Sequence, residues 1–179
     1  MEYERCYAEI KQLEGEILKH ALALQSTSLE AEESERLGQL IPAIRNAVHA
    51  AKSIKDVYVD LKLFRGSVKD RFNAYFGQFR EAAREFYEAL KSLRTSDISS
   101  LRFEALVDIK GKSELVHNRM HRRIYDEVSR GELSEVEIST LLNVNRELFI
   151  ANQSLVSALA DALLESESAS DFASIPAAR

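Results

Sequence analysis

Apolar residues recur every three to four positions along nearly the whole chain, the spacing that places them on one face of a helix. The first run goes from about Glu2 to Leu24, with Ile10, Leu13, Ile17, Ala21 and Leu24 on one stripe. In "QSTSLEAEE", Thr27 and Glu30 stand at the S/T-x-x-E spacing of a capping box, which predicts the start of a second helix. That helix extends to about Arg65. Pro42 lies inside it, and a kink is expected there rather than a break, because Leu37, Leu40, Ile41, Ile44, Val48 and Ala51 keep one stripe across the proline.

Gly66 and Ser67 interrupt the pattern, and a third helix is expected from Val68 to Leu93, with Phe72, Tyr75, Phe76, Phe79, Phe86 and Leu90 as its core stripe. "RTSDISS" reads as a loop. A fourth helix follows from about Ser99 to Ser129, weakened at Gly111 by about 1 kcal/mol relative to alanine. The segment "SRGELSEVEI" punctuates most clearly: Gly131 suits a helix C′ position, Ser134 and Glu137 form a second capping box, and Leu133 can staple to Ile138. A fifth helix then runs to about Leu164. The end, "ESESASDFASIPAAR", loses its period, so residues 1–168 read as one helical domain and 169–179 as a mobile tail. Five long helices joined by short connections predict an all-α, antiparallel bundle.

Composition narrows the class further. The chain of 179 residues is 45% hydrophobic and 30% charged, a globular balance, and has only 6 glycines and 2 prolines with which to build hairpin turns. A net charge of −5 argues against nucleic acid as the main partner. Cys6 stands alone, so there is no disulfide framework and no cysteine zinc site, and a reducing compartment is expected. No apolar run reaches the roughly 18 residues of a membrane span, so this chain does not itself insert, and a cytoplasmic location is expected.

Three constellations could carry chemistry. Asp56 and Asp60, in "AKSIKDVYVDLKLF", are like charges at i, i+4, a spacing that costs roughly 0.2–0.5 kcal/mol. Either water solvates the pair, or Lys52, Lys55 and Lys62 offset it, or the two carboxylates share a hard cation such as Mg²⁺, Ca²⁺ or a ferric ion. His117 and His121, in "LVHNRMHRRIYDE", are also i, i+4 and can reach one metal, but Asn118 stands where a zincin has its glutamate. Arg119, Arg122 and Arg123 crowd the same turns. They suit an anion or an acidic partner, or simply complement the helix C-terminal dipole. Asn145 and Asn152 fall on the apolar stripe of the fifth helix, with Ile138, Leu141, Leu148, Leu155 and Leu159. A buried amide left unpaired costs about 1–3 kcal/mol, so both must find partners, whether to set helix register or to build a polar site inside the bundle. His20 and His49 are isolated. No P-loop, dinucleotide fingerprint or nucleophile with a matching base is visible, and catalysis has no positive support.

Two phrases, "AAKSIKD" and "ISTLLNVNRE", with the helices around them and the intervening "DISSLRFEALVDIKGKSELVHNRMHRRIYDEV", resemble a PhoU-like domain. The likeness is to the version that follows the membrane part of bacterial sodium-dependent phosphate cotransporters, and it covers about residues 1–168. It implies two three-helix repeats in an elongated bundle. By that count the first helix is missing, and Met1 would be a start introduced by cutting a longer membrane protein. It also implies an E/D-x-x-x-D metal motif in each repeat. Asp56–Val57–Tyr58–Val59–Asp60 matches the first, without its usual arginine and glycine. In the second, Asn145 and Arg146 stand near the glutamate–arginine pair and Phe149 replaces the final acid, so that site is lost.

The resemblance therefore implies a non-enzymatic cytoplasmic domain tethered to the inner membrane through its parent, which regulates phosphate transport by contact. The implied partner is the parent's membrane transport domain, with a second copy of the chain as an alternative. A different class of function, a metal-binding helical bundle using Asp56 and Asp60 or His117 and His121, stands beside it, as does a free-standing oligomeric scaffold.

Overall fold

A computed structural model of the chain describes residues 2–93 and 99–176. Among these residues there are six helices and no strand: α1 Glu2–Gln25, α2 Ala31–Arg65, α3 Asp70–Ser92, α4 Ser99–Ser129, α5 Glu135–Leu163 and a short α6, Ser166–Ser174. No helix among the described residues is long and apolar enough to cross a membrane. Most of the expected "RTSDISS" loop, residues 94–98, lies outside the described residues, as do Met1 and 177–179.

Local signals set most boundaries. At the end of α4, Gly131 takes φ +68, its amide bonds the Val128 carbonyl at 2.9 Å, and the Glu132 amide bonds the Glu127 carbonyl at 3.0 Å. This is a Schellman closure, and it needs the left-handed residue that glycine supplies without a Cβ penalty. At the start of α5, Ser134 Oγ accepts from the Glu137 amide and Glu137 Oε2 accepts from the Ser134 amide, at 3.4 and 2.8 Å. The α2 helix runs through Pro42 as one element. Pro42 and Gly38, whose carbonyl loses its i+4 donor there, are both exposed, so water can satisfy that carbonyl.

The capping box expected at Thr27 and Glu30 sits one turn later. The α2 N-cap is Glu30, whose amide bonds Glu33 Oε2 at 3.1 Å, while the Thr27 hydroxyl donates to the Leu24 carbonyl at 2.7 Å. Thr27 thus satisfies an orphan carbonyl at the end of α1 instead of an orphan amide at the start of α2.

The α2 and α5 helices form the central antiparallel pair. Arg36, near the start of α2, donates to the Asp161 and Leu164 carbonyls at the end of α5 at 3.3 and 3.4 Å, and also to Ala162. This places a cation on the negative end of the α5 dipole. The α4 helix packs along α5, α3 lies loosely against α2 and α4, and α1 packs on α2. The buried residues form two apolar clusters. One gathers Val57, Phe64, Tyr75, Phe79, Ile124 and Leu141; the other gathers Phe86, Leu106, Ile109, Val156, Leu164 and Phe172.

Two expectations are corrected by this packing. Residues 169–175 do not trail off as part of a mobile tail. Ala169 and Phe172 of α6 are buried in the second cluster, the Phe172 ring meets Phe103 edge-on at 6.1 Å, and Lys110 Nζ donates to the Ile175 carbonyl at 2.8 Å. An alanine and a phenylalanine three apart were too short a pattern to reveal the helix, and long-range packing supplies its stability. In α1, the expected stripe Ile10–Leu13–Ile17–Ala21–Leu24 is packed only at the buried Ala21, and its other four side chains are exposed. Tyr3 and Leu18, outside that stripe, face inward with Ala21. Tyr3 stacks on Tyr58 at 4.9 Å and donates its hydroxyl to the Ala51 carbonyl at 3.1 Å, and Lys55 sits 4.9 Å over the Tyr7 ring. These aromatic contacts orient α1 with its aliphatic stripe on an uncovered flank.

Candidate functional site

The Asp56–Asp60 pair lies on the α2 surface. Asp56 is exposed and its Oδ2 lies 3.7 Å from Lys52 Nζ; Asp60 is partly exposed. Lys55 is drawn away over Tyr7. Two carboxylates fall well short of the six to eight oxygens of a calcium shell, and a facing ammonium disfavours a cation. Among the described residues no group of three or more His, Cys, Asp or Glu side chains converges on a point.

His117 and His121 are brought together, but by stacking. Their ring centroids are 6.0 Å apart and nearly parallel, His117 also stacks on Phe149 at 4.5 Å, and His121 meets Tyr125 at 4.7 Å. Burial, with the neighbouring His121, pushes the His117 imidazole below its ordinary range. Its buried Nδ1 has no hydrogen-bond partner among the described residues.

Both asparagines tie α5 to α4. Asn145 is buried, and its Nδ2 donates to the His117 carbonyl at 3.1 Å; Asn152 Nδ2 donates to Ser113 Oγ at 3.3 Å. With the buried Ser113 they form a polar layer between the two apolar clusters, where a slip of α5 along α4 would strand both amides. His49, expected to be isolated, lies with Nδ1 3.0 Å from Ser154 Oγ on α5.

A second polar cluster closes the bundle where α4 ends. Glu127 is buried and pairs with Arg123 at 3.1 Å and Arg71 at 3.6 Å, while the Arg123 guanidinium lies 4.3 Å over the Tyr75 ring. Burial, with the Glu127 charge, pushes the Tyr75 hydroxyl up to about 12. Nearby, Lys69 pairs with Glu137 at 2.5 Å, and this bond with the Ser134 cap holds the Glu137 carboxyl down at about 2.

A concavity of about 900 Å³ opens between α3 and α4. Arg119, Arg122 and Arg123, the basic run of α4, line its wall, and Phe86 and Ala89 of α3 form the opposite wall, which spacing along α4 does not reveal. Nor could spacing tell which arginines are spoken for. Arg123 is held by Glu127, and Arg130, also on the wall, by Glu132 at 2.6 Å. Arg119 and Arg122 have no ion-pair partner among the described residues. The apolar flank of α1 is the other exposed feature of note, with Leu13 56% and Ile17 45% exposed.

The chain matches no family model, no curated protein and no solved structure.

Proposed function

We propose that this chain is a non-catalytic regulatory domain that acts by contact, a PhoU-like portion of a sodium/phosphate cotransporter that docks on the membrane transport part of its parent. The observation that carries the reading is the uncovered flank of α1. Its apolar arc is wider than α2 can cover: Ala21 is buried against α2, while Ile10, Leu13, Ile17 and Leu24 face outward. A contiguous exposed apolar stripe on a helix is the surface that a partner covers. The sequence likeness to PhoU-like domains supplies the partner, and the all-helical fold is in keeping with a helical docking domain.

Phosphate uptake by the full-length parent, with and without residues 1–168, tests the reading. Altered uptake or altered control is expected, and unchanged transport on both counts refutes it. In the same assay Leu13→Glu/Ile17→Glu should reproduce the deletion, while the purified double variant melts within a degree or two of the parent chain, because neither side chain supports the core.

A further inference from the structure

The groove between α3 and α4 is polarised along its length. At one end its walls are mainly apolar, with Phe86 and Ala89 from α3 and Ile109 and Val116 from α4, although Glu85 of α3 and the polar Ser113 and Asn152 also line the groove. Lys112, the cation at that end, is paired with Asp108 at 2.6 Å. At the other end the wall is cationic. Arg123 and Arg130 are committed to glutamates, but Arg119 and Arg122, one turn apart on α4, carry uncompensated charge. The other acids lining the groove, Asp126 on α4 and Glu85 on the facing α3, form no ion pair with either arginine among the described residues, and Glu127 is taken by Arg123 and Arg71. Guanidinium groups free of carboxylates are the groups that bind a carboxylate or phosphate in bidentate fashion.

The dimensions limit the occupant. From Ile109 to Arg130, α4 rises roughly 30 Å at 1.5 Å per residue. Along that length the lining changes from apolar side chains to guanidinium groups. The groove suits a linear molecule with an apolar body and an anionic end.

We infer that the α3–α4 groove binds a single-chain anionic amphiphile, its apolar chain lying between Phe86, Ala89, Ile109 and Val116 and its carboxylate or phosphate head held by Arg119 and Arg122. This site shares no residue with the α1 flank and does not depend on the docking role proposed for it.

Calorimetric titration of the full chain with monomeric dodecanoate and dodecyl phosphate tests the inference, with inorganic phosphate and monomeric dodecyl maltoside as the head-only and neutral probes. One amphiphile per chain is expected, bound at least tenfold more tightly than either control probe. Arg119→Gln/Arg122→Gln should weaken it tenfold or more, as should Ala82→Trp, which narrows the apolar end. Arg84→Ala, on the outer face of α3, should leave it unchanged. Circular dichroism establishes that each variant is folded, and if Ala82→Trp is not, the arginine pair decides alone. The inference is overturned if inorganic phosphate or the neutral probe binds as tightly, if the arginine variant binds unchanged, or if neither monomer binds, whether or not phosphatidylglycerol vesicles do.

Discussion

Helices α1 and α5 present similar apolar stripes in sequence and meet opposite fates. The α5 stripe even contains two asparagines, yet Leu141 is fully buried and Asn145 nearly so; the α1 stripe is wholly aliphatic, yet Leu13 and Ile17 face outward. The difference is in the neighbours. The α5 helix is enclosed by α2, α4 and α6, whereas α1 has α2 as its main partner. A stripe states that a face wants cover; the surrounding helices decide whether it gets it, and polar residues on a covered face are tolerated only because partners such as the His117 carbonyl are in reach.

Truncation of one leucine from each helix puts this contrast to its strongest test. Leu141→Ala should cost about 2–5 kcal/mol in urea unfolding, the range for a buried leucine, whereas Leu13→Ala should stay within about 0.5 kcal/mol. Comparable losses at the two sites would mean that the α1 flank is covered in solution, as in a dimer. A smaller effect separates the two asparagines. Asn145→Ala should cost about 1–3 kcal/mol, since it removes a buried bond and leaves space behind, and Asn152→Ala, which is partly exposed, should cost less.

The helix ends extend the contrast. Ser134→Ala, which breaks the α5 capping box, should cost about 1 kcal/mol, and Thr27→Ala at the exposed end of α1 only a few tenths. The smallest effect is a pH dependence. His117 has a depressed pKa in the folded chain, so the unfolded chain takes up the proton first as pH falls. Stability is therefore full above the unfolded value of about 6.5 and declines as pH drops below it, through the folded value. His117→Phe should flatten the curve between pH 7 and 5.5; a curve of unchanged slope would assign the dependence to other groups. At lower pH a second decline is expected below the ordinary carboxylate range, as Glu137, held near 2, is protonated and releases Lys69 and the Ser134 cap.

Features that depend on neighbours within a turn or two can be read from the chain alone. The helical period marked five long helices, Gly131 their sharpest stop, Ser134 and Glu137 a cap, and the α3 aromatics a core stripe, because backbone geometry and short-range hydrogen bonds act over three or four residues. The paired spacing of His117 and His121, and the presence of Asn145 and Asn152 on a buried stripe, were legible for the same reason. Tertiary structure alone decided the rest. Phe172 is in the core because Phe103 and α5 are there to receive it, which turns an aperiodic serine-rich end into α6. The α1 stripe is bare except at Ala21 because Tyr3 and Tyr7 fasten the helix by a neighbouring edge. Arg119 and Arg122 differ from Arg123 because Glu127 can satisfy only its near neighbours, a distinction of charge pairing in space that spacing along one helix does not contain.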